Sequence, residues 1–330
     1  MKKILSLVIR LFFAISSVAL LVWLFRDTSP EQLLDTFASM NGAVWLMVIP
    51  VIFLNILLRA FRWRTTFGNH SGLRIGPLYE SISIGYLLNN ILPARAGDFA
   101  RIYLFGKKTQ IGKSQALATV MFERIVDLLF VCILLGVAGL MADLPAWLKN
   151  AGALVALGAS GALALIFVLE VMGKGFISIV EKVLFFIPEK LLLFVIHVLK
   201  GFLEGVQGMR NVVGLIKFIV FTAVLLLSEL LVIWIISEAF SMGLGIVETI
   251  VVMLFGVFAA MVPGLPGQVG VFEFAVVSGL GLMGVTGEIA LVFAVGWHFS
   301  LIAMTSFLGV VSMIASGQSI AKIRNASTAG

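Results

Sequence analysis

The sequence predicts an all-α polytopic membrane protein with about six full transmembrane helices and two re-entrant broken-helix hairpins, about eight membrane segments in all. Of its 330 residues, 61% are apolar and only 12% are charged, about half the charge expected of a soluble domain. The apolar residues form uninterrupted runs long enough to cross a bilayer. Two of these runs are interrupted by proline and glycine, which break helices.

Residues 1–150 are predicted to form a first repeat that ends in a full span. Its spans are predicted at about 4–25, 44–60 and 118–140, with a re-entrant hairpin at 78–105. A signal peptide is the alternative to the first span, but that run is long enough to cross and we expect a retained helix. The second span ends in Arg59, Arg62 and Arg64 among aromatic residues, a pattern typical of a cytoplasmic membrane interface.

The hairpin is inferred from the length and the charge flanks of the Tyr79–Leu92 segment. This segment has about 14 residues, fewer than the ~20 that a crossing helix needs. Cations flank it on both sides, and a full crossing would place one group outside, against the positive-inside rule. The flanking cations are Arg59, Arg62, Arg64 and Arg74 before it, and Arg95, Arg101, Lys107, Lys108 and Lys113 after it. We therefore expect a segment that enters and leaves on the cytoplasmic side.

Residues 151–316 are predicted to form a second repeat, followed by a polar cytoplasmic tail at 317–330. The predicted elements are spans at 151–172, 216–240 and 288–314, a cytoplasmic amphipathic segment at 173–213, and a re-entrant hairpin at 246–284. The amphipathic segment is expected to break at Pro188 and to lie on the inner leaflet. A solvated helical hairpin packed on the core is the alternative.

Charge sidedness sets the predicted orientation. Of the 23 Lys and Arg residues, only Arg26 and Lys149 fall outside in this topology. Cytoplasmic loops carry the excess of Lys and Arg, so both termini are predicted to be cytoplasmic, in a bacterial-type inner membrane. The basic residues are thus explained by topology, and we expect no nucleic-acid partner.

The two predicted breaks share the pattern L-P-x-x-x-G, at Leu92–Gly97 and Leu265–Gly270. Each half has the order span, span, hairpin, span, but the halves begin on opposite sides of the membrane. This is an inverted-topology repeat, in which broken helices typically meet near the midplane. The residues expected to break the helices are Pro93, Gly97, Pro263, Pro266, Gly267 and Gly270.

Polar side chains concentrate at and after the breaks, where ionisable groups in a membrane indicate a functional site. Guanidinium groups that could bind a phosphate belong to Arg95, Arg101 and Arg124. Amides that could bind hydroxyl groups belong to Asn89, Asn90 and Gln268. Acids that could balance these cations or carry protons are Asp98, Glu123, Asp127, Glu273 and, within a span, Glu229. The alternatives are that the acids only neutralise the arginines, and that residues 87–101 form an ordinary cytoplasmic loop.

No catalytic motif, nucleotide-binding loop or metal-ligand spacing is visible. The three histidines, His70, His197 and His298, lie far apart in sequence and are expected to be structural or interfacial. The single cysteine, Cys132, excludes a disulfide framework within the chain. We predict no catalytic residues, no metal and no cofactor.

Three blocks of the sequence resemble the lysylphosphatidylglycerol synthase transmembrane-region family, which is also described as flippase-like. They are N-N-I-L-P-A-R-A-G-D-F-A-R, F-E-R-I-V-D and P-G-L-P-G-Q-V-G-V-F-E. The acid after the first glycine is usually Glu in that family, and here it is Asp98. The resemblance implies functional roles at Asn90, Pro93, Arg95, Gly97, Asp98, Arg101, Glu123, Arg124, Asp127, Pro266, Gly267, Gly270 and Glu273.

The resemblance implies lipid translocation without naming the lipid. Bifunctional members continue into a soluble aminoacyl-transferase domain, whereas this sequence ends at Gly330, so we expect a stand-alone member that does not make lysyl-phosphatidylglycerol. An anionic head group, including a polyprenyl-phosphate-linked one, suits the cationic and amide-rich breaks. The alternatives are a non-transporting scaffold that partners a lipid or glycan synthase, and an enzyme acting on a lipid phosphate with Asp98, Glu123 or Asp127 as base. The oligomeric state is not predicted.

Overall fold

The computed structural model describes residues 15–26, 28–68, 72–92, 95–109, 111–172, 174–184, 187–206, 212–261 and 266–318. Every regular element within these residues is helical. Helices α1 to α14 are Ile15–Phe25, Pro30–Ala38, Gly42–Leu46, Val48–Thr65, Ile75–Ile91, Ala96–Lys108, Lys113–Met141, Ala146–Met172, Lys174–Val183, Glu189–Val206, Val212–Ala239, Ile246–Met261, Val271–Leu282 and Glu288–Ala315. A 3-10 turn at Pro266–Gln268 precedes α13.

Five helical segments of the described chain are long and apolar enough to cross a membrane. They are Gly42–Thr65, which joins α3 and α4, Lys113–Met141, Ala146–Val168, Val212–Ala239 and Glu288–Ala315. The prediction of an all-α, multi-pass membrane protein is therefore confirmed. The first predicted span, at 4–25, falls largely outside the described residues, and its described end forms α1. The count of about six spans stays a prediction.

Large apolar side chains on these spans are exposed, as a bilayer requires and water would penalise. The exposed fraction is 90% for Leu140, 72% for Leu157 and 75% for Ile314. These residues belong to three different spans, α7, α8 and α14. The apolar exterior agrees with the spans found by length and composition.

Helices α5, α6, α12 and α13 have 17, 13, 16 and 12 residues. Each is shorter than the ~20 residues needed to cross a bilayer. The interruption between α5 and α6 and that between α12 and α13 coincide with the two L-P-x-x-x-G sequences. Pro93 and Pro263 lie outside the described residues. Whether the helix pairs form re-entrant hairpins of an inverted repeat stays a prediction.

The chain divides into two compact units. Unit 1 consists of Met1–Ile56, Ser83–Ala100 and Leu226–Gly330, and unit 2 of Leu57–Ile82 and Arg101–Leu225. In unit 1, α13 packs against α12 and α14, and α14 also packs against α2. In unit 2, α7 packs against α8 and α10, around a core that includes Phe122, Val126 and Phe218.

The predicted amphipathic segment at 173–213 forms two helices, α9 and α10, on either side of Pro188. Helix α10 packs against α7, α8 and α9. Its contact with α7 is close at Gly205, where an added Cβ would lie 2.7 Å from the carbonyl oxygen of Gln115 and 2.8 Å from the Cβ of Ala118. For α10, the structure therefore agrees with the alternative of a helix packed on the core.

Candidate functional site

The first break, the interruption between α5 and α6 in unit 1, is stabilised by hydrogen bonds of the Asn89 side chain. Its Oδ1 accepts a hydrogen bond from the backbone N–H of Gly97 at 2.8 Å, and its Nδ2 donates to Oδ1 of Asp98 at 3.1 Å. This amide therefore satisfies a donor at the start of α6 that has no partner within the helix. Gly97 fits because it has no side chain, since a Cβ would lie 2.6 Å from Asn89 Oδ1.

Asn90 connects the first break to α14. Its Nδ2 donates to the hydroxyl oxygens of Thr305 and Ser306, both at 2.9 Å. A side-chain amide has two N–H donors, so these hydroxyls occupy both. The polar face of α14 thus anchors the C-terminal end of α5.

The second break, the interruption between α12 and α13 in unit 1, contains several residues with left-handed backbone angles. Gly267, Gln268 and Gly270 have φ of 66°, 61° and 89°, angles that glycine adopts readily and other residues rarely. The Nε2 of Gln268 donates to the carbonyl oxygen of Ala260 at 2.8 Å. The side chain of Gln268 therefore satisfies a carbonyl left free at the end of α12.

The two breaks have matching backbones at equivalent positions. Arg95 and Gln268 are the fourth residues of the two L-P-x-x-x-G sequences, and they have φ of 54° and 61°. Among the described residues other than glycine, Ser241 is the only further one with positive φ. The two motifs therefore share a left-handed residue at their fourth position, while the repeat of the two halves stays a prediction.

The sixth residues of the two motifs are both glycines whose N–H is bound by a side chain, although only Gly270 has positive φ. The backbone N–H of Gly97 donates to Oδ1 of Asn89. The backbone N–H of Gly270 donates to Oε2 of Glu273 at 2.7 Å. Neither glycine has room for a side chain, because a Cβ on Gly270 would lie 2.5 Å from the carbonyl oxygen of Ser17. Each break thus begins its following helix with a capped, tightly packed glycine.

The breaks approach one another within unit 1. A Cβ on Gly267 would lie 3.5 Å from the carbonyl oxygen of Asn90 and 3.3 Å from Cδ1 of Ile302 in α14. The second break therefore lies close to the last turn of α5, with room for little more than one added carbon between them. This proximity brings together two segments that are more than 170 residues apart in sequence.

A buried ionisable pair lies beside the second break. Oε1 of Glu273 is 2.6 Å from Nδ1 of His298, and both residues are only 5% exposed. The imidazole ring stacks on Phe272, with ring centres 4.2 Å apart. Sequence analysis included Glu273 in the site but expected a structural or interfacial role for His298.

Unit 2 contains a buried ion-pair network of Arg62, Arg101, Glu123 and Asp127. The guanidinium of Arg62 forms two hydrogen bonds to the carboxylate of Asp127, one of them from Nη2 at 3.1 Å. Its Nε lies 3.3 Å from Oε1 of Glu123. Arg62 is 3% exposed, so its side chain is buried in the protein, while the cytoplasmic location of this end of α4 stays a prediction. Glu123 and Asp127 of α7 stabilise the buried guanidinium, because a buried charge needs a partner.

Arg101 completes this network from the other side of Glu123. Its Nη2 donates to Glu123 Oε2 at 3.0 Å, and its guanidinium lies 3.8 Å from the ring centre of Trp63, within cation–π range. Trp63 is fully buried and donates from Nε1 to Thr119. Two guanidinium groups and two carboxylates thus pair in this network, and Arg59 and Arg124 also interact electrostatically with Asp127.

The remaining predicted site residues are half-buried. Arg95 lies immediately before α6 in unit 1, Arg124 lies in α7 of unit 2, and Glu229 lies within α11 in unit 1. Substrate binding by these residues, and by the amides of the breaks, stays a prediction. Among the described residues, no group of three His, Cys, Asp or Glu side chains is placed to hold a metal ion.

The sequence contained a signal for each residue that was missed. Arg62 lies seven positions after Asn55, a second polar residue on the same face of α4, and two such residues in a span indicate a polar interior face. Asn55 indeed donates to Ser228 at 2.7 Å. His298 is an ionisable residue inside an apolar span, which by itself indicates a functional site.

A comparison with curated proteins finds no match. A comparison with protein-family models finds one that matches residues 5–309, described as the lysylphosphatidylglycerol synthase TM region. That match covers most of the chain and confirms the resemblance carried by the three sequence blocks. The chain therefore belongs to the lysylphosphatidylglycerol synthase transmembrane-region family, a family with a membrane lipid-related, flippase-like role.

Proposed function

We propose that this protein is a flippase-like transporter that moves a phosphate-bearing lipid between the leaflets of a bacterial-type inner membrane. The observation that carries the proposal is the proximity of the two helix breaks at Asn90 and Gly267. In transporters built from inverted repeats, discontinuous helices meet at the substrate site. The shared left-handed residue and the capped glycine of each break support such a repeat here.

The energetic cost of the breaks also supports a function in transport. Interrupted helices inside a bilayer are tolerated only where the backbone is buried in protein or lines a wet cavity. Here Asn89 and Gln268 each use a side-chain amide to satisfy backbone groups that an intact helix would satisfy by itself. A protein that only needed to span the membrane would be more stable with continuous helices.

Arg95 is the residue that we expect to bind the lipid phosphate. It stands immediately before α6, where the helix dipole and the first backbone amides favour an anion. At the equivalent position of the second break stands Gln268, a neutral side chain suited to head-group hydroxyls. The pair of breaks thus offers a cation on one side and an amide on the other.

Direct phosphate binding by Arg101 would compete with the carboxylates that it and Arg62 already bind. Arg101 already donates to Glu123, and Arg62 binds both Glu123 and Asp127. A phosphate would have to displace these carboxylates from buried guanidinium groups, which is costly when a buried charge loses its partner. We infer that the ion-pair network holds α4, α6 and α7 in register, and that Arg124 and Glu229 have secondary roles.

The experiment is a leaflet-exchange assay with purified full-length protein in liposomes. Fluorescent phosphatidylglycerol, phosphatidylcholine and a polyprenyl phosphate serve as probes, with protein-free liposomes as the blank. We expect exchange of a phosphate-bearing anionic probe. Arg95→Asn should slow it roughly ten- to hundredfold, because a hydrogen bond to a charged group contributes ~1.5–3 kcal/mol. Asn tolerates the left-handed backbone at this position.

Arg95→Lys is the matched control, because it keeps the charge and loses only the planar fork. We expect it to retain more exchange than Arg95→Asn. Equal rates for wild type and Arg95→Asn would contradict the assigned site. No exchange of any probe by well-folded protein would instead favour a scaffold that partners a lipid or glycan synthase.

A further inference from the structure

The pair of Glu273 and His298 is more costly than its packing role requires. Both groups are buried, in α13 and α14, two helices that already pack against one another. Replacing a buried ion pair by apolar side chains is often neutral or stabilising. Ionisable residues at membrane depth therefore indicate a function, and proton transfer is a frequent one.

The carboxylate of Glu273 connects this pair to the backbone of the second break. One oxygen contacts His298 at 2.6 Å, and the other accepts the N–H of Gly270 at 2.7 Å. A hydrogen bond to a charged carboxylate is roughly twice as strong as one between neutral groups. The charge on Glu273 therefore influences how firmly Gly270, and with it the left-handed turn at Gly267, is held.

The other charged groups on the elements around the pair are Glu288 of α14, Glu248 of α12, Glu31 and Asp35 of α2, and Arg26 after α1. Glu273 is the titratable residue of α13, and α14 adds Glu288, ten residues or about 15 Å from His298 along the axis. Helix α12 adds Glu248 in its first turn, whereas the second break bonds to the opposite end of α12 through Ala260. After α1 comes Arg26, which lies over the Trp23 ring, and Trp23 contacts Phe274.

We propose that Glu273 and His298 form the proton-binding site that couples lipid exchange to a proton gradient. This proposal rests on the proposed function and names its energy source. While buried, Glu273 and His298 share one proton between Oε1 and Nδ1, and the imidazole carries a second proton on Nε2. This state has no net charge, which a low-dielectric region favours. A proton enters from water on one side and leaves to water on the other, and only N–H and O–H bonds form or break.

The position of the pair explains how the coupling would operate. Loss or gain of a proton leaves a net charge that is costly to bury. It also changes the hydrogen bond that holds Gly270. Gain of a proton neutralises the carboxylate and weakens its bond to Gly270, which loosens the second break beside Asn90, so that the state of the pair and the state of the breaks change together.

Proton binding is tested without any transport by ¹⁵N NMR of histidine-labelled, full-length protein in nanodiscs of phosphatidylcholine and phosphatidylglycerol. The sequence has three histidines, and His298→Gln assigns the signal of His298. We expect the chemical shift of this signal to change with pH, and this pH dependence to differ between wild type and Glu273→Gln. Glu288→Gln, which changes an acid on the same helix as His298, should leave it unmoved. A signal without titration, or one indifferent to Glu273→Gln, overturns the proposal.

Coupling is tested in liposomes with an imposed pH difference, using fluorescent phosphatidylglycerol as the probe. We expect wild type to enrich the probe in one leaflet at least twofold, and to reverse the enrichment when the gradient is reversed. Glu273→Gln and His298→Gln should produce no enrichment, while Glu288→Gln should behave as wild type. Exchange that ignores the gradient overturns the coupling alone. Absence of exchange in wild type overturns the coupling together with the proposed function.

Discussion

Gly97 occupies a position that has no room for a side chain. Its backbone angles do not require glycine. Its φ is not among the positive values of the chain, yet a Cβ would lie 2.6 Å from Oδ1 and 2.7 Å from the backbone nitrogen of Asn89. The side chain of Asn89 also accepts the N–H of Gly97. Packing and capping at the first break thus depend on the same two residues.

Gly97→Ala is expected to destabilise the protein by about 1–3 kcal/mol, the usual cost of overpacking a close contact. The measurement is a thermal unfolding curve of purified protein, followed by tryptophan fluorescence. Gly136→Ala is the matched control, because Gly136 lies in α7 with no atom within 4 Å of an added Cβ. Equal melting temperatures for the two variants would contradict the packing at the first break.

Arg62 holds both acids of the ion-pair network in unit 2. We expect Arg62→Met to destabilise the protein by about 3–5 kcal/mol, because it leaves buried carboxylates without their partner. Arg62→Lys should lose less, since it keeps the charge but not the forked geometry. The same thermal unfolding assay measures the difference. Arg64→Met, at an exposed cation two residues away, should have little effect. If it costs as much as Arg62→Met, the buried network is wrong.

At the scale of elements, α10 packs closely against α7 because its glycines let the two helix backbones approach one another. Gly201 and Gly205 face Ser114, Gln115 and Ala118 of α7, where added side chains would not fit. The sequence suggested a segment lying on the inner leaflet because its charges and apolar residues alternate around a helix. It could not show the docking, since the shape of α7 at that point depends on small residues whose partners are far away in sequence.

Gly205→Leu is expected to detach α10 from α7 and leave the rest of the fold in place. Hydrogen–deuterium exchange of residues 189–206 should then accelerate at least tenfold, because the backbone loses its packing and opens more often. Gly175→Leu in α9 is the control, since no atom lies within 4 Å of its added Cβ. Unchanged exchange in Gly205→Leu would contradict the docking of α10.

The sequence predicted the spans and the helix breaks because both depend on local properties. Apolar runs gave the five spans to within a few residues, and prolines and glycines marked both breaks. The sequence did not predict which polar groups pair. Arg62 and Asp127 are 65 positions apart, and Glu273 and His298 belong to different helices. Such pairs are decided by helix packing, which neither composition nor spacing contains.

At the scale of the whole molecule, five segments able to span a membrane and two interrupted helix pairs account for most of the described chain. In unit 1 the two interruptions meet at α14, where Asn90 binds Thr305 and Ser306, and Gly267 lies against Ile302. If a lipid head group passes between the breaks, the contacts of Asn90 and Gly267 with α14 must open and close during each transport cycle. The proposed function therefore depends on motion at this point.

A reversible cross-link tests this claim most directly. Asn90→Cys and Thr305→Cys are combined in a Cys132→Ser background, which removes the single native cysteine. The hydrogen bond of 2.9 Å between the two native side chains places the introduced thiols within reach of one another. Leaflet exchange is then measured on the same liposomes before oxidation, after it and after reduction, with each single-cysteine variant as control. We predict that the cross-link slows exchange at least tenfold and that reduction restores it. Undiminished exchange with the cross-link fully formed would contradict opening of the contact between α5 and α14 beside the breaks during the transport cycle.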